Sequence, residues 1–416
     1  MKRLLSSLVS MLLFVTSFSC QNKAKISRQN FCTAENIKFQ QFTQTAETNA
    51  KDEFKAYALK LPEGAEASDY CLFNNKLYYV LDYASILTDQ SGKGKKVDFV
   101  DKYQTTIRCY NLISKEDTLL YTASGSEYMV IKKLQVSGKY LLFSTYRRSS
   151  ASRNAPEQGE QLNLLSLEKS DKSVLVFPNT DNKEFDYKLT AYLANDTIYI
   201  KADKYKFDSI SYLDTCFYKF YVKQQRLTKV DVTNKHVLQG YLIATEVLPP
   251  IKLANSENPD SSLIIPRSRL TLAALERKDK IEVQVPYEIK LSQIQINQDF
   301  TVWHSVDSLW ILQNKPLNLM RLRAKSAENK QENPNISEYR LGNNFLLVLR
   351  QNKLTLYNLS TKTYHDLKLP ELKQVPLEIY ALHSNNQFFY LVGHNKKRSI
   401  LRIFTLDFRN SKERKE

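Results

Sequence analysis

The chain of 416 residues is poor in glycine, with 9, in histidine, with 5, and in tryptophan, with 2. A phosphate-cradling loop needs glycines at fixed spacing so that backbone N–H groups converge on an anion. Ser91-Gly92-Lys93-Gly94-Lys95 lacks that spacing. The histidines, His236, His304, His365, His383 and His394, are scattered, with neither the HxH nor the HExxH pattern that brings zinc ligands together. No GxSxG elbow presents a serine nucleophile. No cysteine sits in a recognised protease signature, so no cofactor, metal or catalytic residue is assigned. A glycosidase carboxylate pair is assembled in space and leaves no such trace. Beyond Phe18 no apolar run approaches the ~20 residues of a membrane-spanning helix.

What is present is 42% hydrophobic and 25% charged sequence, with 25 tyrosines and 20 phenylalanines. That composition is globular and favours β-strands lined with aromatic side chains. The length exceeds the usual single-core limit of about 250–300 residues, which implies several domains or a repeat array. Net charge is +16, favouring anionic partners such as phosphate head groups or acidic glycans.

The N-terminus reads as an export signal. Met1-Lys2-Arg3 places positive charge before an apolar run, Leu4 to Phe18, too short to span a membrane, that ends in Ser17-Phe18-Ser19-Cys20. This end resembles the lipobox of bacterial lipoproteins, with Ser17 standing where those usually carry an aliphatic residue. The resemblance implies that Cys20 is acylated and becomes the mature N-terminus, with residues 1–19 removed. The alternative is ordinary cleavage after Ser19, leaving a soluble periplasmic or secreted protein. No acidic residue follows in Gln21-Asn22-Lys23-Ala24-Lys25, which favours the outer over the inner membrane. Export argues against a nucleic-acid partner. In an oxidising compartment Cys32, Cys71, Cys109 and Cys216 allow disulfides without requiring them. Cys71 and Cys109 lie in apolar strand patterns that suit core thiols.

From about residue 66 onward one motif recurs. A polar turn leads into an apolar-aromatic strand: Asn74-Asn75 before KLYYVLDYA, Ser137-Gly138 before KYLLFSTY, Asn195-Asp196 before TIYIKAD, Gln239-Gly240 before YLIATEVL, Asp307 before SLWILQN, Gly342-Asn343 before NFLLVLR and Asn385-Asn386 before QFFYLVG. A second alternating strand follows each, and most units add a short outer strand. Four strands about every fifty residues is the arithmetic of a β-propeller, here of seven blades, with six as the alternative. The fifth unit shows no outer strand after Ala324. The last unit ends in a charged tail, 409–416, so an upstream strand, Ile37–Phe42 or Phe54–Leu59, must close the ring. The pattern resembles the broad β-propeller superfamily without the signature of any named branch. Residues 20–35 then form a lipid-proximal tether and 36–416 one all-β domain.

By the same reading, the connections from second to third strand are long in units one to four, about 12 to 20 residues, and short in the last three. In a propeller these connections share one rim. They carry Tyr83, Lys93, Lys95, Lys96, Arg147, Arg148, Arg153, Tyr205, Tyr212, Arg267 and Arg269, and arginine and tyrosine are types enriched at binding hot spots. Trp303 and Trp310 are read as blade core, with a sugar-stacking surface as the rival reading. The expected function is an envelope-anchored, non-enzymatic binding or scaffold module for an envelope protein, an anionic glycan or a lipid head group. The alternative is an envelope glycan hydrolase or lyase with acidic residues in the propeller funnel.

Overall fold

The computed structural model describes residues 43–44, 54–89, 97–123, 128–148, 157–168, 173–177, 185–194, 196–206, 212–230, 236–238, 240–254, 262–274, 280–286, 289, 294–305, 308–314, 317–323, 336–350, 353–367, 380–384, 388–394 and 400–407. These form seven sheets, each built on four antiparallel strands. Blade 1 is Ala65–Phe73, Lys76–Asp89, Val97–Asn111 and Asp117–Thr122; blade 2 is Tyr128–Ser137, Tyr140–Arg148, Glu157–Ser166 and Ser173–Phe177. Blade 3 is Phe185–Ala194, Thr197–Lys206, Tyr212–Tyr221 and Arg226–Val230; blade 4 is His236–Leu238, Tyr241–Ala254, Ser262–Ala274 and Lys280–Pro286. Blade 5 is Gln295–Ile296, Phe300–Ser305, Ser308–Asn314 and Leu317–Arg323; blade 6 is Ile336–Gly342, Phe345–Arg350, Lys353–Asn358 and Thr363–Leu367. Blade 7 joins Tyr380–Ser384, Phe388–His394 and Ile400–Asp407 to Phe54–Lys60 from the other end of the chain.

The turns follow from local chemistry. Asn74 and Asn75 both take the left-handed conformation, with φ of 48° and 59°. That is the twist a two-residue hairpin needs, and asparagine tolerates it. Closure is made by the Phe54–Lys60 candidate: Phe54 pairs with Leu406 and Lys60 with Ile400. The other candidate, Ile37–Phe42, lies outside the described residues, as do Cys20, the tether and the charged tail. Thr43–Gln44 pairs in parallel with Thr363 and Tyr364 on the outer edge of blade 6.

Strand alternation sends each blade's two faces into two different layers, and the buried apolar residues accordingly form seven clusters that run in circuit round the ring. Leu142 and Leu164 of blade 2 meet Ile198 and Phe220 of blade 3, for example. Leu347 and Phe345 of blade 6 meet Phe389 and Phe404 of blade 7. The circuit ends where Tyr390 and Leu401 of blade 7 meet Leu72 and Leu77 of blade 1. Fully burying one such side chain is worth about 1.5–3 kcal/mol. In the layer between blades 3 and 4, Ala194, Tyr199 and Phe217 are buried, with Tyr192, Val230 and Leu242 half-buried against them. There Gly240, at φ 86°, lets the turn of blade 4 approach Tyr192, whose ring a Cβ would meet at 3.2 Å.

Two glutamines join inner strands of neighbouring blades in the same way. Gln135 of blade 2 donates to Ala191 O at 2.7 Å and accepts from Leu193 N at 3.2 Å in blade 3. Gln295 of blade 5 donates to Tyr339 O at 2.6 Å and accepts from Leu341 N at 2.7 Å in blade 6. The side-chain amide imitates a strand and satisfies backbone groups left over at the inner edge.

The fifth blade corrects the sequence reading. SLWILQN is its third strand and Leu317–Arg323 its outer one, so no outer strand is missing. The inner strand is the two-residue Gln295–Ile296, too short to leave a periodic signal.

Candidate partner-binding rim

The connections from second to third strand turn at one end of every blade. In blades 1 and 4 the segments read as long loops are largely strand. Lys76–Asp89 and Val97–Asn111 run 14 and 15 residues, and Tyr241–Ala254 and Ser262–Ala274 run 14 and 13. Both hairpins continue past the blade as two-stranded arms, through Asp89 paired with Val97 and Ala254 paired with Ser262. The segments between the arm strands, 90–96 and 255–261, lie outside the described residues. The arms escaped the sequence reading because they bend at register shifts, Ser85/Ile86 and Leu248/Ile251, the latter at Pro249-Pro250. Alternation lapses at such bulges.

Tyr83 stands at the base of the blade 1 arm, 37% exposed. Lys93, Lys95, Lys96 and Arg153 lie outside the described residues, and Tyr212 is described only in its backbone, as the first residue of its strand. Arg147 is half-buried on the second strand of blade 2. The remaining named residues are engaged within the fold. Arg148 reaches Glu157 through Nη2 at 2.7 Å. Tyr205 donates to Asp186 Oδ2 at 3.0 Å. Arg267 donates to Pro249 O at 2.9 Å, and Arg269 pairs with Glu246 at 2.7 Å and Glu282 at 3.5 Å. Among the described residues of blades 2 to 4, Arg148, Tyr205, Arg267 and Arg269 are thus held by partners within the fold.

A polar network joins blades 1, 2 and 3 at their inner strands. Glu160, buried to 2%, accepts from Lys133 Nζ at 2.6 Å, Ser144 Oγ at 2.8 Å and Leu189 N at 2.8 Å. Lys133 Nζ also donates to Leu189 O at 2.7 Å. Burial, then the neighbouring Glu160 carboxylate, pushes the Tyr146 hydroxyl far above its ordinary pKa. Burial raises Glu157, but the Lys132 and Arg148 hydrogen bonds outweigh it and hold the carboxyl below its usual value. Asp69 and Lys133 both sit at bulges with positive φ, 44° and 61°, and Lys133 N donates to Asp69 Oδ1 at 3.3 Å. Burial raises the Asp69 pKa, and that backbone donor offsets part of the rise. The sequence signal for Glu160 was a carboxylate at the same parity as the core residues Leu162 and Leu164.

The remaining candidates resolve as structure. Trp303 and Trp310 are paired across adjacent strands, 6.5 Å apart and 12° from coplanar, and are buried to 0% and 2% in the layer facing blade 4. They are core and offer no sugar platform. Cys71, Cys109 and Cys216 are free thiols, and burial pushes Cys71 up to about 11. Among the described residues no group of three or more His, Cys, Asp or Glu is placed to hold a metal ion.

No protein-family model matches the chain, and no curated protein matches it in sequence. Among solved structures it is similar to a chain of the S. cerevisiae complex of Dbp5 with Nup159, Gle1, IP6 and ADP, at 10% identity and TM-score 0.40, covering 89% of this chain and 100% of that one. It is similar to Kluyveromyces lactis Hsv2 at 10% identity and TM-score 0.39, over 81% of this chain and 96% of that one. The N-terminal domain of Nup159 matches at 9% identity and TM-score 0.38, over 88% and 99%. Likenesses this distant say nothing of function.

Proposed function

We propose that the protein is an exported lipoprotein, anchored in the outer membrane through Cys20, whose propeller is a non-enzymatic scaffold holding an envelope protein against the rim of blades 1 to 4. The observation that carries this reading is the pair of arms on blades 1 and 4. A two-stranded hairpin is marginal on its own, and open strand edges invite pairing. Among the described residues neither arm has a third strand beside it. The ring closes through the pairing of Phe54–Lys60 with Ile400–Asp407, which involves neither arm. Residues 21–42 lie between the anchor and Thr43, a reach of up to ~75 Å at full extension, enough to hold the rim clear of the membrane.

The test is a photo-crosslinking residue at Tyr83 or at Val247, which is 71% exposed, in cells expressing the protein from its own signal. A discrete crosslinked partner, lost when the blade 1 arm is cut back to Tyr83 and Gln104, supports the reading. Absence of crosslinks from both positions sinks it.

A further inference from the structure

Blade 7 takes its outer strand from the other end of the chain, so its seam with blade 1 differs from the other six. At those, the chain passes from a blade's own last strand to the inner strand of the next blade. Here residues 61–64 enter Ala65–Phe73 from the borrowed strand Phe54–Lys60. The other three strands of blade 7, Tyr380–Ser384, Phe388–His394 and Ile400–Asp407, have no such link to blade 1. They meet it through packing and hydrogen bonds alone. Leu401 and Ile403 pack with Leu72 and Leu77. Tyr70 Oη meets His394 Nε2 at 2.9 Å, and Tyr390 Oη accepts from Leu72 N at 3.2 Å and donates to Tyr70 O at 3.4 Å.

His383 stands on the inner strand beside this seam. Register sets it opposite Tyr390, on which its ring stacks at 5.0 Å, and Tyr70 of blade 1 lies edge-on to it at 6.1 Å. Its Nε2 is buried and makes no hydrogen bond. The groups around it favour the neutral ring. Blade 6 brings the Arg340 cation, while Glu338 of the same strand is taken by Arg340 Nη2 at 2.6 Å. Blade 1 brings Tyr70 and Cys71, and its acids turn toward blade 2. Asp69 Oδ1 accepts from Lys133 N at 3.3 Å, and Glu66 lies opposite Asp82, at the parity of Val80. Blade 7 itself adds Tyr390 and His394. Burial, then Arg340, opposes a charge on His383 and lowers its pKa from 6.5 to about 4.

We propose that His383 makes this seam acid-labile: protonating its imidazole drives blade 7 away from blade 1, and the ring opens as Ile400–Asp407 releases Phe54–Lys60. An imidazolium beside Arg340, with its Nε2 proton unpaired, gains hydration by opening. The break falls where the borrowed strand is held by hydrogen bonds alone. With a pKa of about 4 in the closed ring and 6.5 once freed, passing from pH 7 to pH 5 raises the open population about twentyfold. The device involves neither arm, and it is independent of the rim reading and of lipid at Cys20.

Hydrogen exchange of the full mature chain, followed by mass spectrometry at pH 7 and pH 5 and corrected for the intrinsic pH dependence of amide exchange, tests this. Phe54–Lys60, Ala65–Phe73 and Ile400–Asp407 are expected to exchange about twentyfold faster at pH 5. Thr197–Lys206 of blade 3 and Ser308–Asn314 of blade 5 are expected to keep their protection. His383→Phe, which retains the stack on Tyr390, is expected to remove the acceleration. His383→Gln, polar and untitratable, takes its place if that variant does not fold. An acceleration spread evenly over all blades is global unfolding and overturns the proposal. So does an acceleration at the seam that survives the substitution, or none at all in the parent.

Discussion

The Oη of Tyr70 and the Nε2 of His394 meet at 2.9 Å across the seam between blades 1 and 7, although 324 residues separate them in the chain. Tyr70 Oη commits its proton to Ala67 O at 2.6 Å, and Nε2 lies 3.1 Å from the same carbonyl, which can only accept. Nε2 therefore carries a proton, which it directs at the two oxygens. Beside it, Leu72 N donates to Tyr390 Oη at 3.2 Å. The seam that closes the ring is thus tied by side chains as well as by the Phe54–Lys60 strand.

Tyr70→Phe removes the hydroxyl that both donates and accepts at this seam. The loss expected is about 1–2 kcal/mol, the worth of one part-buried hydrogen bond plus the cost of its unpaired partner. Urea unfolding checks it: the midpoint falls while the slope with denaturant stays constant, since the folded surface is unchanged.

Glu160→Ala strands three donors at the junction of blades 2 and 3. Lys133 is 40% exposed and can turn to water, but Leu189 N is buried and cannot. The expected loss is about 1–3 kcal/mol, the cost of a buried donor left unsatisfied. Glu160→Gln keeps an acceptor for Leu189 N and loses less. Comparable melts for the two variants would show that charge, and not hydrogen-bond supply, is what Glu160 contributes.

Which parts of this molecule are legible in its sequence follows from what is periodic. The turn-and-strand repeat gave seven units because Asn74-Asn75, Gly138 and their equivalents punctuate runs that alternate toward two apolar layers. Blade 5 was misread by one strand because Gln295–Ile296 is too short to alternate, and the arms of blades 1 and 4 because bulges interrupt their parity. The rim lost most legibility. Arg148 and Arg269 read as binding residues by type, yet their partners Glu157 and Glu246 are fixed by cross-strand register, which no composition reveals. Gln135 and Gln295, which join inner strands, are unremarked polar residues until their neighbours are known.

His383 stacks on Tyr390 at 5.0 Å and meets Tyr70 edge-on at 6.1 Å. Burial, then the nearby Arg340 cation, lowers its pKa from an ordinary 6.5 to about 4. Between these values the unfolded chain takes up a proton that the folded chain refuses. This contribution to stability is whole above pH 6.5 and declines as pH falls toward 4. The decline is about 2 kcal/mol after allowance for solvent screening. His383→Phe keeps the ring stack and removes the titration, and Nε2 makes no hydrogen bond to be lost. Melting curves at pH 7 and pH 5 check this: the variant's midpoint changes less between them than that of the parent. An equal change places the acid sensitivity elsewhere.

Under the proposed reading, the location of the propeller turns on Cys20. Acylation adds about 0.8 kcal/mol of membrane affinity per buried methylene, and more than one chain is needed for stable anchoring, so a lipoprotein and a plainly cleaved protein differ sharply in fractionation. Expressed with its own signal in a Gram-negative host, the parent is expected to incorporate labelled palmitate and sediment with membranes. Cys20→Ala is expected to lose the label entirely, because Cys32, the other cysteine of the segment, stands in no lipobox. Labelling that survives Cys20→Ala, or an unlabelled parent in the soluble fraction, would remove the anchor. The arms would then have to find their partner from solution, without a tether to hold the rim near it.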